Sequence, residues 1–261
     1  MAFDPHKVAE HISSWLNSYA YASRFDGFVL GVSGGIDSAV TATLCLMTGK
    51  PVYVIDLPIH QDPTELERSR ELCDSFSNRF SNITVLRVPL TDVYEATKAA
   101  LPDSVDLSQG LALANTRARL RMTFLYAIGA QRRALVVGTG NKIEDFGIGF
   151  FTKYGDGGVD VSPIADLLKS EVYALGRVLG VPQSILEAAP TDGLWGDGRN
   201  DEDQIGASYA ELEIAMRFSE ENGDLNTLDG REKEVFEIYT RLNTANRHKM
   251  DPIPVCTIPR D

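Results

Sequence analysis

The stretch whose residue types point most directly to chemistry is a hexapeptide, Ser33-Gly34-Gly35-Ile36-Asp37-Ser38. It follows a short apolar run, Phe28 to Val32, and precedes an apolar stretch that ends at Met47. A buried strand, a glycine-rich turn and a helix start bring free backbone N–H groups together, and the helix dipole favours an anion there. The sequence therefore predicts a phosphate-binding loop.

The carboxylate of Asp37 is the unexpected member of this loop, because a carboxylate repels a phosphate. A bridging divalent cation removes the conflict, since Mg²⁺ is usually bound by one or two carboxylates together with phosphate oxygens. The glycines allow a close approach of the backbone to the ligand, and the hydroxyls of Ser33 and Ser38 add neutral donors. We therefore expect Mg²⁺ to join Asp37 to the bound phosphates.

Other glycine-rich motifs fit this loop less well. The spacing matches neither the Walker loop GxxxxGK[ST] nor the dinucleotide fingerprint GxGxxG. The nucleophile elbow G-x-S-x-G of serine hydrolases does match Gly31-Val32-Ser33-Gly34-Gly35, but that interpretation leaves Asp37 unexplained. A serine hydrolase that uses Ser33 and a nucleotide-binding module without catalysis both stay open as alternatives.

Composition narrows the class of protein. The chain has 261 residues, a formal charge of −12 and 43% apolar residues, which fits one large globular domain over residues 1–261. No apolar run is long enough for a membrane span, and the first ten residues lack the apolar core of a signal peptide. Three scattered cysteines without a CxxC motif indicate the cytoplasm, and the acidic balance argues against nucleic acid.

Strands and helices alternate along the chain. Apolar runs predict strands at 28–32, 51–57, 83–88 and 134–138. Amphipathic or capped stretches predict helices at 5–22, 38–48, 62–80, 91–101, 110–133, 169–179, 201–218 and 230–243, with loops at 102–110 and 192–199. This order predicts an α/β fold, an open, mostly parallel twisted sheet with helices on both faces. Ligands of such sheets bind beyond the carboxyl ends of the strands.

A second unusual stretch runs from Phe150 to Asp160 and contains three glycines, two carboxylates and one lysine. Glycines free the backbone, and loops commonly carry functional residues. We therefore expect a loop that closes over a site. A further feature is the group of five arginines between Arg117 and Arg133 in an acidic protein, since a guanidinium can bind phosphate in a bidentate way.

These motifs together identify a family. The hexapeptide looks like the pyrophosphate-binding loop of the N-type ATP pyrophosphatases, whose Rossmann-like fold is of the adenine nucleotide alpha hydrolase type. With the second stretch, the chain resembles the ammonia-dependent NAD⁺ synthetases over nearly its whole length. The matching segments are 33–38, 115–122, 138–144, 150–160, Pro163 with Lys169, 189–191, 201–202 and 248–249.

The resemblance implies a two-step amide ligase. The nicotinate carboxylate of deamido-NAD⁺ attacks the α-phosphate of ATP and gives an acyl adenylate and pyrophosphate. Ammonia then attacks the acyl carbon and gives NAD⁺ and AMP. The resemblance further implies Mg²⁺ as cofactor and a homodimer. Because the synthetase takes up all 261 residues, we expect no glutaminase domain and free ammonia as the donor, with a separate glutaminase partner left open.

The resemblance also assigns roles to individual residues. For ATP these are Gly31, Val32, Ser33, Gly34, Gly35, Ile36, Asp37, Ser38, Thr139, Lys169 and Thr191. For deamido-NAD⁺ they are Arg119, Lys153, Asp160, His248 and Lys249. The residues implied to bind Mg²⁺ are Asp37 and Glu144. The residues implied to act in catalysis are Asp37, Lys169 and Asp156, the last of which would handle the ammonia.

Three positions depart from the family pattern. Ile36 replaces a common Gln, Asn141-Lys142 replaces the Asp-His of the common bacterial form, and Met250 replaces a frequent Arg. None of them removes a charged group with an assigned role, and the Asn141-Lys142 pair suggests a different branch of the family. Another N-type ATP pyrophosphatase, such as a GMP synthetase-like or tRNA-modifying enzyme, is the nearest alternative, although the acidic charge disfavours tRNA.

Overall fold

The computed structural model describes residues 3–102, 110–191 and 200–260, so the predicted loops at 102–110 and 192–199 lie outside these ranges apart from residues 102 and 110. The strands are β1 (Gly27–Gly31), β2 (Val52–Asp56), β3 (Ile83–Arg87) and β4 (Ala134–Val136). The helices are α1 (Pro5–Ala22), α2 (Ile36–Met47), α3 (Pro63–Arg79), α4 (Thr91–Ala99), α5 (Leu111–Arg132), α6 (Lys169–Val178), α7 (Gln183–Leu186), α8 (Asp201–Ile205), α9 (Tyr209–Glu220) and α10 (Gly230–Met250). A π-helical turn covers Ile143–Ile148 and a 3₁₀ turn covers Leu225–Thr227.

The four strands form one parallel sheet in the order β3-β2-β1-β4. Phe28 of β1 pairs with Val52 of β2 on one side and with Leu135 of β4 on the other. The predicted α/β fold with a parallel sheet is confirmed. The strand order reverses between β1 and β4, and a crevice at such a reversal is where open α/β sheets bind ligands.

Helices cover both faces of the sheet. Successive side chains of a strand point to opposite faces, and both faces of β1 carry apolar residues that pack against helices. Phe28 and Leu30 of β1 pack into a cluster with residues of α1, α2, α3 and α6. Val29 of the same strand packs with Tyr94 and Leu125, which lie on α4 and α5. A third apolar cluster joins the π-helical turn to α9 and α10.

The helix predicted for residues 201–218 is wrong in one respect, because it is two helices. Gly206 takes a left-handed backbone conformation, with φ of 87°, and ends α8. Ser208 then caps α9 in a reciprocal arrangement with Glu211, in which the Ser208 N–H donates to Glu211 Oε2 at 2.8 Å and the Glu211 N–H donates to Ser208 Oγ at 3.3 Å. A glycine stop followed by a capping box separates two helices. The last helix runs to Met250, seven residues beyond the predicted end at Asn243.

None of the three cysteines, all of which lie in the described ranges, forms a disulfide. All three cysteines carry free thiols, with Cys45 and Cys73 buried and Cys256 exposed. Burial raises the pKa of the Cys73 thiol to about 11, which keeps it protonated. No helix within the described ranges combines the length and the apolar character needed to cross a membrane.

Gly27 of β1 lies against Pro51, the residue before β2, and gives a test of this packing. A Cβ atom there would lie 2.2 Å from the carbonyl oxygen of Pro51, which accepts a hydrogen bond from the Phe28 N–H. We expect Gly27→Ala to lower the free energy of unfolding by about 3 kcal/mol, measured by urea denaturation.

Gly31→Ala is the matched control on the same strand, because its Cβ would meet its nearest neighbour at an ordinary 3.7 Å. We expect that change to stay within about 1 kcal/mol of the wild-type stability. Equal stabilities for the two variants would contradict the proposed strand contact.

Candidate active site

A cavity of about 600 Å³ opens at the carboxyl edge of the sheet. Its walls come from the segments after β1, β2 and β4, from α3 and α5, and from residues near the end of α10. Of the residues predicted for the site, all but one line this cavity; they are Gly31, Val32, Ser33, Gly34, Gly35, Ile36, Asp37, Ser38, Arg119, Thr139, Glu144, Lys153, Asp156, Lys169, Thr191, His248 and Lys249. The exception is Asp160.

The loop after β1 has the geometry of an anion site. Gly35 precedes α2 without a side-chain cap, so the first N–H groups of this helix point into the loop. Ser38 Oγ accepts from the Ser33 N–H at 3.3 Å and donates to the Gly35 carbonyl at 3.0 Å. Gly34 has a φ of 79°, which a side chain would strain. The Gly35 N–H donates to Ser33 Oγ at 3.2 Å. The two serine hydroxyls thus fix the turn, and the N–H groups in the first turn of α2 remain for an anion, as a phosphate cradle requires.

A buried ion cluster lies beside this loop. Lys169, 3% exposed, donates from Nζ to Asp37 Oδ2 at 2.6 Å and to Glu144 Oε1 at 3.0 Å. Asp37 comes from the first turn of α2, Glu144 from the π-helical turn and Lys169 from the start of α6. The structure therefore brings the three predicted charged residues of the site into one contact.

Two residues that the sequence analysis gave no role support this cluster. Asn141, fully buried, donates to Asp37 Oδ1 at 3.1 Å and accepts from the Glu144 N–H at 3.2 Å. The hydroxyl of Tyr209 donates to Glu144 Oε1 at 2.5 Å, and its ring lies 4.6 Å from Lys169 Nζ. Asn141 sits in the quoted Gly-Thr-Gly-Asn segment, which was the available signal. Tyr209 falls within the stretch predicted to be a helix over residues 201–218, and no local pattern singled it out.

Burial and charge set the protonation of this cluster. Burial raises the pKa of Asp37, and Lys169 only partly offsets this. Burial also opposes the charged form of Glu144, but Lys169 and the Tyr209 hydroxyl together outweigh it and lower the pKa of Glu144. The two carboxylates raise the pKa of Lys169 against the effect of its burial, so the ammonium stays charged. One cation thus serves two anions, and the cluster has excess negative charge.

Two further carboxyl groups in the cavity have pKa values that are raised by burial. Burial, with the charges of Glu144, Asp156 and Asp37, raises the pKa of Asp145 to about 8. Burial raises the pKa of Asp156 to about 6, although its Oδ1 accepts from the Thr152 N–H at 3.0 Å. Both groups can therefore change protonation near neutral pH, which is the range a proton acceptor needs.

The donor chemistry of the cluster fits the predicted Mg²⁺. Within the described ranges no group of three or more His, Cys, Asp or Glu side chains is arranged to hold a metal ion. Mg²⁺ does not require one, because it commonly binds one or two carboxylates and takes its other ligands from phosphates and water. Asp37 and Glu144 supply two such carboxylates, and their shared excess charge would be relieved by a cation.

The predicted closing loop is tied to α5 and α10. Thr152 Oγ1 donates to Asn115 Oδ1 at 2.7 Å, and Arg119 Nε donates to the Lys153 carbonyl at 3.3 Å. Lys153 Nζ in turn donates to the carbonyl of His248. Lys249 Nζ donates to the carbonyls of Gly149 and Phe151 at 2.7 and 2.9 Å. The basic side chains predicted to bind deamido-NAD⁺ thus gather along one side of the cavity.

Asp160 lies apart from this group. Its Oδ2 accepts from the Val136 N–H at 2.8 Å and its Oδ1 accepts from the Tyr126 hydroxyl at 3.0 Å. It lines a second, open depression that also contains Trp15 and Tyr19. Its carboxylate therefore holds the end of the loop to β4, and it lies outside the main cavity. Its contact with deamido-NAD⁺ stays a prediction.

Comparison with known proteins supplies the family. The model of the NAD synthase family matches residues 8–253. The chain belongs to the NAD synthase family. It is 37% identical over 243 residues to an NH(3)-dependent NAD(+) synthetase of Carboxydothermus hydrogenoformans, covering 92% of this chain and 93% of that one. It is 40% identical over 216 residues to the Mesoplasma florum protein of the same name, covering 82% and 86%.

A solved structure agrees with this assignment. The NMN synthetase of Francisella tularensis superimposes with a TM-score of 0.86 at 32% identity, covering 98% of this chain and all of that one. The predicted membership of the NAD synthetase family, and with it a carbon–nitrogen ligase that uses ATP, is confirmed. A serine hydrolase at Ser33 is not favoured by any of these relatives.

Removing the shared ammonium should destabilise the fold in a pH-dependent way. We expect Lys169→Met to lower the free energy of unfolding by about 3 to 5 kcal/mol at pH 8, because two buried carboxylates lose their partner. Their pKa values in the folded variant would then lie above those in the unfolded chain. The folded state would bind more protons between these values, so stability would fall as pH rises and the loss would be smaller at pH 5.

Urea denaturation at several pH values measures this effect. Lys142→Met is the control, since Lys142 forms a more exposed ion pair with Glu220 at 3.1 Å, and we expect it to cost less than about 1 kcal/mol. A loss for Lys169→Met that is independent of pH would show that its role is not to pair these carboxylates.

Proposed function

We propose that this chain converts deamido-NAD⁺ to NAD⁺ with ATP and ammonia. In the first step the nicotinate carboxylate attacks the α-phosphorus of ATP, and pyrophosphate leaves. In the second step ammonia attacks the acyl adenylate, and AMP leaves. The observation that carries the proposal is the buried contact of Lys169 with Asp37 and Glu144 beside the loop of residues 33–38.

The residues around the cavity suit the first step. Phosphoryl chemistry needs positioning and neutralisation of charge more than covalent help. Backbone N–H groups in the first turn of α2 would hold the pyrophosphate portion of ATP, and Lys169 would lie next to the developing charge. Asp37 and Glu144 would hold Mg²⁺, which when bound neutralises phosphate charge. Thr139 and Thr191 line the same cavity and would contact ATP.

The second step needs a group that accepts a proton from ammonia or ammonium. Asp156 is the proposed acceptor, because it lines the cavity with its pKa raised by burial to about 6. Arg119, Lys153, His248 and Lys249 would bind the anionic dinucleotide. These four residues come from α5, the closing loop and α10, so one substrate would draw three parts of the chain together.

A second substrate is favoured by one observation. The neighbour with a TM-score of 0.86 is an NMN synthetase, whose name indicates that it makes a mononucleotide amide. The same two-step chemistry on nicotinate mononucleotide would need the same adenylation residues. The two candidates differ only in whether a second nucleotide half must be bound.

We further propose a cytoplasmic homodimer. Supporting observations are the resemblance itself and the open depression beside Asp160, whose aromatic residues Trp15, Tyr19 and Phe146 are 41%, 40% and 52% exposed. A second copy that covered this face would bury those rings. It would also place Asp160 at a subunit boundary, where a dinucleotide longer than one cavity could reach it.

The decisive experiment compares the two acceptors. Purified protein is incubated with ATP, MgCl₂ and ammonium together with either deamido-NAD⁺ or nicotinate mononucleotide, and AMP, pyrophosphate and the amide product are quantified. We expect a higher kcat/KM for deamido-NAD⁺ and a loss of at least about 100-fold in turnover for Asp37→Asn, which removes one carboxylate charge from the adenylation site.

Other outcomes separate the alternatives. Preference for the mononucleotide would select the second candidate. ATP binding without AMP formation would indicate a nucleotide-binding module, and labelling of Ser33 by a fluorophosphonate would indicate a hydrolase. AMP formation with neither pyridine nucleotide would point to another N-type ATP pyrophosphatase.

Asp156 should affect the two steps differently. We expect Asp156→Asn to lower NAD⁺ formation by about 100-fold, in line with loss of a general base, while exchange of labelled pyrophosphate into ATP is retained. In the wild-type protein, amide formation at saturating ammonium should fall as pH drops below about 6, because the carboxylate becomes protonated. Asp166→Asn, a change at a fully exposed carboxylate, is the control. Equal loss in both steps would exclude this role for Asp156.

A further inference from the structure

Helix α3 passes directly over the phosphate loop and presents two polar residues to it. A Cβ atom on Gly34 would lie 3.0 Å from the Arg68 Cβ and 3.0 Å from the Ser69 backbone nitrogen. Both Arg68 and Ser69 line the 600 Å³ cavity with the loop residues 33–38. The loop and the middle of α3 thus form two adjoining walls of one space.

These two residues have unmet hydrogen-bonding capacity. Ser69 is 2% exposed, and its Oγ has no hydrogen-bond partner among the described residues. The Nε of Arg68 is likewise buried without a partner in the part of the chain that the structure describes. A buried donor without a partner is costly, so each such group in a native structure needs an explanation.

Arg121, which lines the same cavity, provides a contrast to Arg68, because its hydrogen bonds are made within the protein. Arg121 is half-buried, and its Nε donates to the Leu57 carbonyl at 3.1 Å while its Nη2 donates to Gln61 Oε1 at 2.9 Å. Those bonds fix the segment after β2. Arg68 forms no ion pair within the described ranges, so its charge and its free Nε–H remain available to a ligand in the cavity.

We propose that Arg68 and Ser69 bind phosphate oxygens of ATP from α3, facing the loop of residues 33–38, and hold the pyrophosphate as it leaves. This rests on the proposed function. In the adenylation step a carboxylate oxygen forms a bond to the α-phosphorus. The bond from that phosphorus to the bridging oxygen breaks, and the bridging oxygen keeps the electron pair as part of pyrophosphate.

The chemistry of the two side chains fits that leaving group. A guanidinium offers paired donors that match the oxygens of a phosphate, and such charge-assisted hydrogen bonds are stronger than neutral ones. The charge on pyrophosphate grows as the bond breaks, so a fixed cation beside the loop would favour the transition state over bound ATP. Ser69 adds a neutral donor next to the loop. Arg68 would thus be a catalytic residue and Ser69 a binding residue.

Calorimetry with ligands that differ in their phosphates tests the proposal. ATP, inorganic pyrophosphate and AMP are titrated, each with MgCl₂, into the wild-type chain and into Arg68→Met, Arg68→Lys, Ser69→Ala and Arg70→Met. We expect Arg68→Met to weaken ATP and pyrophosphate binding by about 10- to 100-fold and to leave AMP binding unchanged. Arg68→Lys should recover part of the loss, and Ser69→Ala should cost less than about tenfold.

Arg70→Met is the matched control, because Arg70 lies on the same helix, is exposed and does not line the cavity. Unchanged pyrophosphate binding in Arg68→Met, or an equal loss for pyrophosphate and AMP, would overturn the proposal. If Arg68→Met does not fold, as judged by circular dichroism, Arg68→Lys and Ser69→Ala decide the question by the same contrast.

The calorimetric comparison of ATP, pyrophosphate and AMP binding does not depend on whether the chain makes a pyridine amide. If the chain bound ATP and pyrophosphate through Arg68 but made no pyridine amide, the proposed function would fail while this inference stood. If the chain made the amide at wild-type rates in Arg68→Met, with kcat and the KM for ATP both unchanged, the inference would fail while the proposed function stood.

Discussion

The structure depends on one buried ammonium group held between two carboxylates. Lys169 is almost fully enclosed, and it sits at the first position of α6, where the helix dipole disfavours a cation. Leaving any member of this cluster unpaired would cost several kcal/mol, since a buried charge without compensation is strongly destabilising. The side chains of Asp37, Glu144 and Lys169 must therefore be buried in contact with one another in the folded chain. This requirement ties α2, the π-helical turn and α6 into one unit beside the phosphate loop.

The fold satisfies that requirement through its strand order. Because β1 and β4 are neighbours, the loops that follow them lie side by side, one carrying Asp37 and the other leading to Glu144. Asn141 bonds to both loops and fixes their spacing. The turn that carries Glu144 is π-helical, a conformation often found at functional sites. Tyr209 reaches it from α9, so the last third of the chain also contributes to the site.

The strands, helices and phosphate loop could largely be predicted from local sequence. The ion cluster could not, because its residues are far apart in the chain. The strands, the phosphate loop and the capped start of α3 at Asp62 follow from patterns within about ten residues. The break between α8 and α9 was missed, although Gly206 and Ser208 signal it locally. The cluster itself joins residues 132 and 25 positions apart. Only tertiary packing, or resemblance to a family, can bring such residues together.

The distribution of charge within the cavity explains how one site could serve substrates of opposite sign. Around Lys169 its interior holds two carboxylates for one ammonium group, and burial raises the pKa of Asp145 and Asp156 into the range where they exchange protons. Such an interior would attract Mg²⁺ and ammonium and would repel a dinucleotide. Arg119, Lys153 and Lys249 line the same cavity near the closing loop and supply the opposite charge. A cavity with one sign throughout would bind one substrate at the expense of the other, so this separation of charge follows from the chemistry itself.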